Sequence, residues 1–110
     1  MPREDRIFAG QREIVMFPRK HWLFRQFARR PGFPFAHSFL RAAWEREFEV
    51  DLSLNYLATE IHYINSTLAK ALNRPKLRII TTSEMRSSSE DRTYLIHPEH
   101  INVVTISDEN

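Results

Sequence analysis

Arg19, Trp22, Arg25 and Arg29 are the residues of this sequence whose types and spacing come closest to a chemistry. At about 100° per helical residue, three guanidinium groups gather round one indole on a single side of a helix. Guanidinium groups neutralise phosphates and release their counterions. An indole stacks on an unpaired base, a contact worth about 1–3 kcal/mol. Nucleic-acid surfaces use that combination, and protein interfaces are also rich in it. Arg30, Arg74, Lys76 and Arg78 extend the set to an anion-binding face.

The wider segment is unusual for the same reason. Residues 17–44 carry six basic side chains and no acidic one, together with eight aromatic rings. Residues 1–16 balance, and residues 45–110 carry seven basic against eleven acidic groups, or −4. A net charge of +2 therefore hides a basic aromatic segment joined to a mildly acidic remainder. Such asymmetry points to nucleic acid or an acidic protein surface as partner.

Other chemistries are poorly supplied. Two glycines rule out a glycine-rich phosphate loop, and the absence of cysteine removes disulfides, thiolate nucleophiles and Cys-ligated zinc. His97 and His100 flank the turn "HPEH", but a zinc site needs further ligands that the spacing does not supply. His21, His37 and His62 fall on three different expected helices, and nothing in their spacing gathers them around Glu60 for acid–base work. No catalytic set, cofactor or metal is expected. The charged N-terminus lacks a signal-peptide core, and the longest apolar run there, Ile14 to Phe17, cannot span a membrane. A cytoplasmic protein with no membrane partner is expected.

These residues need elements to hold them. A chain of 110 residues fits one domain, 1–110. Ile14 to Phe17 reads as a short strand. Pro18 is suited to the first position of a helix that runs to about Arg30 and stops at "RPGFP". Pro34 opens a second helix, to about Phe48. Asp51 is the expected N-cap of a third, which continues to Asn73 before Pro75. Placing Leu23 at 0°, Phe17, Phe24, Phe27 and Ala28 form the buried arc of the first helix, and Trp22 lies opposite it at about 260°. Trp22 is therefore expected to be at least partly exposed. The competing reading packs it under the sheet or a neighbouring subunit. The second helix is expected to bury Phe35, Phe39, Leu40 and Trp44.

The third helix carries Leu54, Leu57, Ile61, Ile64, Leu68, Ala71 and Leu72 on one arc about 100° wide. Its far side is polar and almost uncharged, and Tyr56 and Tyr63 flank it as the expected contact of a homodimer. Residues 54–73, "LNYLATEIHYINSTLAKALN", resemble the helix-turn-helix of lactose-repressor-type proteins, with Ala58 as the small residue and Thr67 to Lys70 opening the recognition helix. The turn position, however, holds His62, followed by bulky Tyr63 and Ile64, and the unbroken stripe predicts one continuous helix.

Beyond Pro75, "LRIITTS", "RTYLIHP" and "INVVTIS" are β-branched and aromatic. They predict a three-stranded antiparallel meander, giving an α+β fold of a short N-terminal strand, three helices and the meander. A winged-helix arrangement is the narrower variant, with "SEMRSSSEDR" as wing and Arg86 and Arg92 on the backbone of the nucleic acid. The expected function is a small nucleic-acid-binding or regulatory protein. The alternative is a protein-binding adaptor or inhibitor, of the kind phages and plasmids direct against larger complexes, using the same arginines and Trp22.

Overall fold

The structure, a computed structural model, describes residues 5–9, 11–83, 92–97 and 104–108. The elements in chain order are β1 (Asp5–Ala9), β2 (Arg12–Ile14), α1 (Pro18–Ala28), β3 (Phe35–Ala36), α2 (His37–Phe48), α3 (Leu54–Ala71), β4 (Ile80–Ser83), β5 (Thr93–Ile96) and β6 (Val104–Asp108). Three helices and small antiparallel sheets make the α+β class expected. Residues 84–91 of the expected wing and 98–100 of the "HPEH" turn lie outside the described residues.

The strands are connected differently from the expected meander. β3, β5 and β4 form one sheet with β5 in the middle, and β2, β1 and β6 form another with β1 in the middle. β5 is flanked on both sides, so it has no edge left for β6. The long edge of β1 takes β6 instead, in register from Asp5 opposite Asp108 to Ala9 opposite Val104. The expected strand at Ile14 to Phe17 starts earlier and ends at Ile14, which pairs with Ile7. Arg6 grips the Glu13 carboxylate across this hairpin, and that hydrogen bond holds the Glu13 pKa below its usual value.

Pro18 does open α1, but the helix ends at Ala28, because Pro31 disfavours helical geometry in the residue before it. Gly32 then takes a positive φ of 82°, and its N–H donates to the Ile96 carbonyl, tying this turn to β5. Pro34 opens a strand and not a helix: Phe35 and Ala36 pair with Tyr94 and Thr93 before α2 begins at His37. Asp51 is not the cap of α3. Ser53 accepts the Tyr56 N–H, while Asp51 takes two hydrogen bonds from Arg41 at 2.6 and 2.8 Å. Those bonds hold the Asp51 carboxyl below its usual pKa.

α3 is one unbroken helix of 18 residues. It closes with Asn73 at φ 56°, the left-handed position that asparagine tolerates, while the Arg74 N–H donates to the Ala69 carbonyl. The expected stripe is buried at Leu57, Ile61, Ile64 and Leu68 and half-buried at Leu54, Ala71 and Leu72. It joins Leu23, Phe24, Phe27, Leu40, Trp44 and strand residues from both sheets in one apolar cluster.

One side chain fixes α3 to the sheet. Asn65 accepts from the N–H groups of Ile79 and Ile80 and donates to the Ile80 carbonyl at 2.9 Å. Asn65→Ala strands three backbone groups and should cost about 2 kcal/mol by urea unfolding. Asn65→Asp, which keeps the acceptor, should lose less. A loss under about 0.5 kcal/mol for the alanine variant would mean the clamp is not made.

Candidate anion-binding surface

The helix-one patch is assembled only in part. Trp22 is half-buried, with its ring edge-to-face against Trp44 at 5.9 Å and Phe48 at 5.5 Å. The partner that covers this side of α1 is α2. The indole is thus partly exposed, as expected, but much of its surface is occupied internally. Arg19 is exposed, yet its guanidinium lies 5.5 Å over the Phe48 ring and donates to the Tyr56 hydroxyl at 3.1 Å. Arg25 is half-buried, while Arg29 and Arg30 are exposed beyond it. Arg30 stacks on Phe33 at 3.9 Å. This face holds cations around a packed indole; it is no open stacking platform.

Two aromatic side chains expected in the core lie outside it. Phe17 is 77% exposed and Phe39 54%. Phe17 is the N-cap of α1 with extended backbone, so a projection at helical spacing does not apply to it. The Phe39 ring lies 6.0 Å from that of Phe35.

The other basic residues gather more openly. Arg74, Lys76 and Arg78 are exposed on the link from α3 to β4. Lys76 and Arg78, with Arg92 just before β5, line a concave groove of about 760 Å³ between α3 and the β3–β5–β4 sheet. His62 and Ser66 form its helical wall, and Tyr94 lies in its floor. Alternation along β5 places Arg92 on the side of Tyr94, and pairing places Thr82 beside Tyr94. Among the described lining residues there is no carboxylate, and none of the three cations forms an ion pair with a described residue. Sequence reasoning placed Arg92 only in a wing and missed the groove; the signal available was its spacing from Tyr94 on a strand.

Tyr56 and Tyr63, expected to act together, have different surroundings. Tyr56 is half-buried against Trp44 at 5.5 Å, whereas Tyr63 is 52% exposed. Tyr63 shares a second, apolar groove of about 480 Å³ with Val15, Met16 and Phe17. Lys20 sits between the two aromatic groups, its Nζ 5.8 Å from the Phe17 centroid and 5.4 Å from that of Tyr63. The same ammonium lies 3.0 Å from Glu60 Oε2. Glu60 is the only carboxylate of α3 and is 8% exposed, so the open side of that helix carries no negative charge.

His37 and His62 have separate surroundings. His37 donates to the Leu52 carbonyl at 2.7 Å, a structural role, and the His62 ring lies beside Tyr63. Among the described residues no cluster of histidine and acidic side chains could hold a metal, and no helix is long and apolar enough to cross a membrane. No protein-family model matches the chain, and no curated protein or solved structure matches it.

Proposed function

We propose that this is a small nucleic-acid-binding protein of regulatory type, whose contact surface is the cationic groove between α3 and the β3–β5–β4 sheet. The observation that carries the reading is the convergence of Lys76, Arg78 and Arg92 on one concavity without a carboxylate among its described lining residues. Phosphates are the anions such a line of cations suits, because each neutralised phosphate releases condensed counterions. The exposed Arg29 and Arg30, just past the end of α1, add to the positive field. A cysteine-free chain is compatible with a reducing compartment such as the cytoplasm.

A salt titration of binding to a labelled oligonucleotide tests this. Affinity should fall steeply with added salt, and Lys76→Ala, Arg78→Ala and Arg92→Ala should each flatten the log–log slope by about one unit. Salt-independent binding, or slopes unmoved by all three changes, would reject the groove as the contact surface. The exposed apolar side chains Val15, Phe17 and Tyr63 favour a second reading, a protein-binding adaptor or inhibitor, whose partner contact would weaken much less with salt.

A further inference from the structure

Resting on the nucleic-acid reading, we infer that the chain takes an unpaired strand, with its phosphates in the cationic groove and its bases on the Phe17–Tyr63 shelf. The two features lie on opposite flanks of the open side of α3. At about 100° per residue, Ala58, His62 and Ser66 face the groove, and Tyr63 and Thr67 face the shelf. His62 and Tyr63 are consecutive, with ring centroids 5.9 Å apart, so the crossing from one flank to the other is short. Between them the helix presents Thr59 and Lys70, and no acidic group repels a strand lying across it.

Charge decides between one strand and two. A duplex laid over α3 would bring its second phosphate backbone down on the side of Val15, Phe17 and Tyr63. That side is apolar, and Lys20, its one cation among the described lining residues, is already neutralised by Glu60 at 3.0 Å. Paired bases also keep their faces stacked within the duplex, so an exposed aromatic shelf offers them nothing. Unpaired bases need such faces, and every base has one to offer. Val15 at 84% exposure and Phe17 at 77% are open to that contact. Lys20 lies near both rings, its Nζ 5.8 Å from the Phe17 centroid and 5.4 Å from that of Tyr63.

The test uses the full chain, labelled oligothymidylate, and the same strand annealed to oligoadenylate, followed by fluorescence anisotropy. The single strand should bind at least tenfold tighter than the duplex. Phe17→Ala and Tyr63→Ala should each weaken single-strand binding by about five- to a hundredfold, the range for one lost base stack, and should change duplex binding less than about twofold. Tyr63→Phe should bind like the parent. Both side chains are exposed, so far-ultraviolet circular dichroism should show the variants folded. Equal affinity for the two forms, with both alanine variants unchanged, would overturn this inference and leave the groove reading standing. Absence of binding to either form would overturn the groove reading itself. If sedimentation shows a dimer that Tyr63→Ala dissociates while strand binding is unaffected, the shelf is a contact with a second copy and the inference fails.

Discussion

Ile64→Gly is expected to remove about 3–6 kcal/mol of stability. Ile64 is fully buried at the middle of α3, in the apolar cluster. Truncating such a side chain costs about 2–5 kcal/mol through lost transfer energy and the cavity left behind. Glycine within a helix adds about 1 kcal/mol over alanine. Native domains have about 5–15 kcal/mol in hand, so the variant should lie close to its unfolding midpoint in water. Ile64→Ala separates the contributions: both variants lose the side chain, and only glycine loses helix propensity. Urea unfolding should therefore place Ile64→Gly about 1 kcal/mol below Ile64→Ala. Equal stabilities would contradict an unbroken helix at this point.

That continuity was readable from the chain alone, because the signal is local and redundant. A 3–4–3–4 stripe runs the length of α3, and Pro75 forbids extension past it. The start of α1 was readable for a similar reason, through Pro18, while its end at Ala28 falls two residues before the expected Arg30. What failed was pairing at a distance. β1 is only five residues long, Asp5–Ala9, and its importance lies in receiving β6 from the far end of the chain. No local pattern reports that β5 is already occupied on both sides by β3 and β4.

The candidate site divides along the same line. Lys76 and Arg78 were legible as neighbouring cations because they are close in sequence and followed by a strand. Arg92 joins them only once β4 and β5 are paired. The off-core position of Trp22 on α1 was legible, yet a projection of one helix says nothing about which helix comes to cover it. Trp44 and Phe48 supply that cover from α2. Phe17 shows the opposite error. The projection was carried through the N-cap, where the backbone is extended, and an exposed ring was assigned to the core.

Lys20→Met should cost about 3 kcal/mol, although Lys20 contributes little to the apolar core. Its ammonium is the ion-pair partner of Glu60, which belongs to the interface between α1 and α3. Bringing a carboxylate into that interface is expensive, and the opposite charge offsets the expense. Removing one member of a buried pair typically costs about 3–5 kcal/mol, because the remaining charge is left without compensation. The Lys20 side chain retains 24% of its exposure, so water reaches the pair from one side and the lower end of the range applies. Methionine preserves most of the stem that packs near Phe17 and Tyr63, which isolates the charge from the packing. The double variant Lys20→Met/Glu60→Leu removes both charges at once. It should recover most of the lost stability, giving a coupling energy of about 2 kcal/mol in a double-mutant cycle read by urea unfolding. Additive losses would mean that the two groups act independently, and that Glu60 draws its compensation from elsewhere in the interface.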